Sequence, residues 1–238
     1  MTIVPVNKHR RGGETVESAD MADIADIAGV REISDVAEDA ADGIRWLADW
    51  DQWFAGLTFA RGIGPDELAA RLGALPGVRP GPLGATAAWS LVAETVDGDG
   101  VARVGRWGGW SFAVEHGLPA GAERLAEVSR DGVEAVHLDP QPDHPPKQFA
   151  YARDGELVCC FGLGEEVWRG GHRPDFLLPE LIAAGILTPQ GACARPADEA
   201  EGDRDRRVLA VLERRFRLSV PRRLIADTPL PAYVTCTR

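Results

Sequence analysis

The sequence predicts an α+β fold: a mainly antiparallel sheet of about six strands from two β-α-β-β units, with helices on one face and further helices at the C-terminus. Three observations predict it. Strand-like runs over 101–115 and 147–162 are broken only by Gly108-Gly109 and Asp154-Gly155, the pairs that tight hairpin turns require. Proline-led segments with helical apolar spacing, "PDELAARLG" and "LPAGAERLAEVSRDG", lie between strand candidates. Finally, "LTFARGIGPDELAARL" and "WSFAVEHGLPAGAERL" share an order of strand, glycine-containing bend, proline and helix, each followed by two strand candidates. That order reads as an internal duplication.

Residues 1–42 are acidic and poor in aromatics, and they cannot bury enough apolar surface to fold alone. They read as a solvated, disordered segment, although Ile24, Ile27, Val30 and Ile33 recur every three residues and leave a docked amphipathic helix as the alternative. From Ile44 the character changes. Ile44, Leu47, Trp50, Phe54 and Leu57 follow helical spacing, so a short helix is expected to run towards a strand at 57–61. A helix over "PDELAARLG" follows, with proline at its first turn and acids at its positive end. "AWSLVAETV" and "VARVGRW" read as strands joined by "DGDG", and "WSFAVE" pairs with the second of them through the glycine turn.

A two-residue turn fixes a register. Trp107 should face Trp110, Gly105 should face Phe112 and Arg103 should face Val114, which puts both indoles and Phe112 on one sheet face. Each indole presents roughly 150–250 Å², so leaving a pair exposed would forgo several kcal/mol at about 25 cal/mol per Å². A helix inside one of the two units is therefore expected to cover at least one of them. Beyond the helix at 118–132, "VEAVHL" reads as a strand, and "KQFAYAR" with "ELVCCFG" reads as a hairpin in which Arg153 faces Glu156. "PDFLLPELIAAG" and "DRDRRVLAVLERRF" read as helices. The expected organisation is an N-terminal segment over 1–42, an α+β domain over 43–190, and an Arg-rich helical extension over 191–238 packed on that domain.

The formal charge of −11 argues against a free nucleic-acid binder and suits a basic partner. The charge is uneven. Ten acidic residues lie between Glu14 and Asp42 against Arg31 alone, while eight arginines lie between Arg204 and Arg223. Cysteines at 159, 160, 193 and 236 lack metal-ligand spacing, and neighbours in a strand point to opposite faces, so a reducing cytoplasm is expected. No run approaches the ~18 apolar residues of a membrane span.

The chain carries no phosphate-cradling glycine loop, no nucleophile elbow and no zincin helix, so no cofactor is expected. The best candidate for metal or acid–base chemistry is "HLDPQPDH", where His137, Asp139, Asp143 and His144 combine imidazoles and carboxylates at a strand end. The surrounding prolines equally suit a stiff connection in which they are turn residues, and on that weighing no metal is assigned. Glu115 and His116 could share a proton, though adjacent strand residues diverge. Trp107, Trp110, Arg214 and Arg215 are the candidate binding residues.

"WFAGLTFARGIGPDELAARLGA", "GRWGGWSFAVE" and "PDFLLPELIAAGILTP" together resemble the recurrent segments of an actinobacterial family known only as a domain of unknown function, over roughly 45–190. The resemblance implies a cytoplasmic bacterial protein and carries no active-site residue. The leading expectation is a non-catalytic protein-binding module of regulatory or immunity type with a basic partner. The alternative is a metal-assisted hydrolase using His137, Asp139 and His144. A third reading is nucleic-acid binding through the arginine helix, whose affinity would fall steeply with salt.

Overall fold

The computed structural model describes residues 43–51, 53–95, 99–141, 146–194, 199 and 202–236. Eight strands form one antiparallel sheet: β1 (Gly56–Arg61), β2 (Gly81–Leu83), β3 (Asp99–Trp107), β4 (Trp110–Gly117), β5 (Glu134–Asp139), β6 (Gln148–Arg153), β7 (Glu156–Gly162) and β8 (Leu230–Cys236), in the order β2-β8-β3-β4-β1-β5-β6-β7. Six helices accompany them among the described residues: α1 (Pro65–Arg71), α2 (Ala85–Glu94), α3 (Gly121–Val128), α4 (Leu178–Ala183), α5 (Asp203–Phe216) and α6 (Arg222–Ala226). All of these elements belong to one compact unit, Glu38–Arg238. The N-terminal acidic segment, and with it the alternative of a docked amphipathic helix at Ile24, Ile27, Val30 and Ile33, lies outside the described residues.

The central hairpin has the expected register: Trp107 faces Trp110, Gly105 faces Phe112 and Arg103 faces Val114. Gly108 and Gly109 both have positive φ, +55° and +82°, which is the backbone that a primed two-residue turn demands and that other residues resist. Phe112 fills the space beside Gly105, where an added Cβ would lie 2.5 Å from its ring. The second hairpin pairs Arg153 with Glu156 across Asp154-Gly155.

Both faces of the sheet are covered. Leu57, Phe59, Trp110, Phe112, Val114, Val136, Leu138, Phe149 and Tyr151 share one face with Val208, Leu209, Val211 and Leu212 of α5, Leu181 of α4 and Ile225 of α6. At the β3–β8 end of the same face, Ala88, Leu91 and Val92 of α2 pack with Val101 and Ala232. On the other face Ala60, Ala102, Ala113, Ala135 and Ala152 present small side chains, and α1 (Leu68, Ala69, Leu72) and α3 (Leu125, Val128) settle onto them. Strands covered on both sides lose the polar alternation that would mark a solvated face.

Several expectations are corrected by this arrangement. The sheet has eight strands rather than about six, and the face opposite α1 and α3, which the sequence left open, is covered by α2 and the C-terminal helices. The "AWSLVAE" part of "AWSLVAETV" lies within α2, which Thr95 caps: its alanines and leucine favour helix, and Ala88, Leu91 and Val92 recur at helical spacing. The first unit therefore runs β1-α1-β2-α2-β3 and only the second, β4-α3-β5-β6, keeps the expected order. The segment before β1 is a single 3₁₀ turn, Arg45–Asp49, because Ile44 and Leu47 insert into the core while the Ile44 N–H and the Trp46 indole N–H donate to the Glu213 carboxylate and Val220 carbonyl. The C-terminal region is more than helical: β8 lies inside the sheet, between β2 and β3. Trp110 is wholly buried as expected, but on the face covered by α5, whereas α1 and α3, the helices expected to cover it, lie on the opposite face.

Candidate binding cavity

Arg103 and His116 follow from the hairpin register. Both point to the α5-side face, Arg103 from β3 opposite Val114 and His116 from β4 opposite Val101. Arg103 is wholly buried. Its Nε donates to His116 Nε2 at 2.9 Å, Nη2 to the Ile225 carbonyl at 2.5 Å and Nη1 to the Thr228 carbonyl at 3.3 Å. No carboxylate among the described residues forms an ion pair with it. Burial pushes its pKa down to about 10, so it stays cationic at neutral pH. A buried cation held by neutral acceptors is costly, and such groups mark functional-site candidates.

His116 is 2% exposed. Desolvation first, and the Arg103 charge second, push its pKa down to about 3, so the ring is neutral. Because Nε2 accepts from Arg103, the ring proton sits on Nδ1. That nitrogen is buried and has no hydrogen-bond partner.

These two residues line a cavity of about 410 Å³ whose other walls include Trp50, Phe54, Trp89 and Asp227. Trp89, on α2, meets the His116 ring edge-on at 5.2 Å. Phe54 is 50% exposed and Trp89 38% exposed, uncommon for aromatic rings of this size. The site therefore combines an unpaired cation and an idle donor within, aromatic walls, and a carboxylate from exposed Asp227.

The opposite face holds a second polar cluster. Thr58 Oγ1 donates to Glu115 Oε1 at 2.5 Å and lies 2.8 Å from His137 Nδ1, and Glu115 Oε2 accepts from the Gly121 N–H at the start of α3. With the Thr58 proton committed to Glu115, His137 Nδ1 is the donor, which leaves Nε2 a bare lone pair, buried and unpartnered. Burial lowers the His137 pKa, against the opposing pull of Glu115 and Asp139. Gly121 is required by close approach: an added Cβ would fall 2.2 Å from Thr58 Oγ1 and 2.3 Å from His137 Nδ1.

The sequence candidates are thus dispersed. Glu115 and His116 point to opposite faces and do not meet; Glu115 joins His137, and His116 joins Arg103. Asp139 accepts from the Gln141 backbone and side chain, and Asp143 and His144 lie outside the described residues. Among the described residues no group of three or more histidines, cysteines or acids could hold a metal. Trp110 offers no surface to a partner, since it is buried against Phe59 with Arg61 stacked 4.2 Å from its ring centroid. Trp107 is partly buried against the same core.

Arg214 is exposed, while Arg215 meets Glu180 at 3.3 Å and lies over Phe176. Arg204 pairs with Glu166 at 2.6 Å, Arg206 with Asp49 and Asp203, and Arg207 with Glu199, so much of the arginine helix is neutralised internally. No helix among the described residues is long and apolar enough to cross a membrane.

Sequence reasoning missed the cavity, yet one signal for it was present. The register that set Arg103 on the face of both indoles placed a charge in a core position, where only a paired or functional group is expected.

A family model described as "Family of unknown function (DUF6461)" matches residues 38–229, extending beyond the 45–190 span of the expected resemblance. No curated protein and no solved structure matches the chain.

Proposed function

We propose that this chain, which belongs to the DUF6461 family of unknown function, is a non-catalytic protein-binding module of regulatory or immunity type in a bacterial cytoplasm. The observation that carries the reading is the group of aromatic rings, Trp50, Phe54 and Trp89, around a cavity with a buried cationic inner wall. Exposed aromatics beside a desolvated pocket are the usual anchor sites of protein interfaces. The net charge of −11 supports a partner of basic net charge, and four cysteines outside any disulfide support a reducing compartment. Nucleic-acid binding draws little support, because the arginines that would meet phosphates are largely paired with carboxylates.

Selection of a random peptide library on the full chain tests the proposal, with counter-selection on a Phe54→Ser/Trp89→Ser variant. Enriched peptides that bind the wild type and lose the variant support it. Enrichment that ignores the two aromatics, or none, overturns it.

One observation favours a second reading, metal-assisted hydrolysis at His137, Asp139 and His144. Metal-bound imidazoles characteristically donate their other N–H to an oxygen acceptor backed by a carboxylate, as His137 does to Thr58 and Glu115. Stoichiometric zinc or manganese in purified protein, lost in His137→Ala and His144→Ala, would favour it; metal-free protein would count against it.

A further inference from the structure

The aromatic cavity poses a narrower question, which rests on the protein-binding reading just given: which side chain of the partner it takes. Its lining divides by exposure. Arg103, His116 and Val114 are buried and form the floor, whereas Phe54, Trp89 and Asp227 are exposed and form the mouth. A ligand therefore meets two aromatic rings and a carboxylate first. Trp50 is less open to it, because Trp46 packs 5.4 Å from its ring and the Arg222 guanidinium lies 6.0 Å over it.

Asp227 has neither an ion pair nor a side-chain hydrogen bond among the described residues. Arg103 fixes where it stands, since Nη2 donates to the Ile225 carbonyl at 2.5 Å and Nη1 to the Thr228 carbonyl at 3.3 Å, on either side of Asp227 in the chain. The same guanidinium restricts how a cation can enter. Head-first, an ammonium or guanidinium would approach the Arg103 charge through a dry floor, where repulsion is strong. Laid across the mouth, a long basic side chain keeps its charge beside Asp227 while its methylene stem covers ring surface that is otherwise wet. Arginine suits this better than lysine, because its planar guanidinium stacks on aromatic faces and pairs with a carboxylate through two parallel N–H donors. The net charge of −11 favours a partner that carries such residues.

We infer that the mouth of the cavity holds an arginine side chain of the basic partner, with its guanidinium against the Asp227 carboxylate and its stem across Phe54 and Trp89. Arg103 is a positioning residue in this arrangement; Asp227 and the two rings make the contact.

Two-dimensional NMR titration of the full chain, read at the Trp89 indole N–H and assigned with Trp89→Phe, tests this with the end-capped peptide Gly-Arg-Gly and its citrulline and lysine counterparts. Citrulline keeps the shape of arginine and removes the charge. The expected result is saturable binding of the arginine peptide and affinity about tenfold lower for citrulline, the exposed ion pair and the cation–ring contact each supplying about threefold. Asp227→Asn should weaken the arginine peptide about threefold and leave the citrulline peptide unchanged, at an unchanged urea midpoint; should that variant not fold, the arginine–citrulline comparison on wild type decides alone. Equal affinity for arginine and citrulline, or saturation by neither, overturns the cation. Equal affinity for lysine overturns the choice of arginine, and an arginine affinity indifferent to Asp227→Asn overturns the site. Library peptides that need Phe54 and Trp89 but bind Asp227→Asn as tightly as wild type overturn this inference and leave the protein-binding proposal standing, whereas arginine-selective binding with no enriched library peptide overturns that proposal instead.

Discussion

Acid should destabilise this protein through His116 by an amount that can be worked out. The folded ring has a pKa of about 3 against an ordinary value of 6.5, because burial and the Arg103 charge both oppose a second proton. As pH falls through 6.5 the unfolded chain takes up a proton at this position and the folded chain does not. The stabilisation is therefore fully present above 6.5 and is lost progressively as pH approaches 3. Between pH 7 and pH 5 the loss is about 2 kcal/mol for this one histidine, a sizeable share of a typical stability of about 5–15 kcal/mol. His137, also depressed by burial, adds to the loss in the same direction. Urea unfolding followed by tryptophan fluorescence at both pH values measures the total. His116→Gln, whose amide oxygen can still accept from Arg103, isolates the contribution: its stability should fall by about 2 kcal/mol less than that of wild type over the same interval. An identical fall in the two proteins would refute the assignment of His116 as a buried neutral ring.

Two further predictions concern the contacts that hold the elements in place. Gly121→Ala should destabilise by about 1–3 kcal/mol or more, because its methyl group would overlap Thr58, His137 and Glu115 and push α3 off the sheet; an unchanged urea midpoint would contradict this. Glu166 is fully buried and holds Arg204 at the start of α5 while accepting from the Gly164 N–H. Glu166→Ala should cost about 3–5 kcal/mol by leaving a buried cation unpaired, and the double variant Glu166→Leu/Arg204→Met should recover a large part of that, as measured by denaturant midpoints.

How much of this molecule was legible from its chain differs by element. The hairpins were legible because two residues suffice to specify them: Gly108-Gly109 and Asp154-Gly155 set the turns, and a two-residue period then carried the register to Trp107, Phe112 and Arg153. α1 and α3 were legible for a similar reason, with proline at the start of α1 and just ahead of α3 and apolar residues on one side. α2 was misread because "AWSLVA" is a short apolar run, which periodicity alone cannot divide between strand and helix. β8 was overlooked in a region dominated by arginines, although Tyr233, Val234 and Thr235 form a β-prone run. At the candidate site, the separation of Glu115 from His116 followed from strand geometry, but the partners each would find did not.

By itself the chain determined local conformation and, through register, which side chains share a face. Only the tertiary structure decided what covers each face and where polar groups end up. Arg103 reaches the carbonyl of Ile225, 122 residues away in sequence, and the cavity exists because α2, the segment before β1 and the residues around α6 converge on the same end of the sheet. Turns and periods are set by interactions among neighbours, whereas burial, an unpaired charge and a cavity are properties of space shared by distant segments, and no short stretch of sequence contains them.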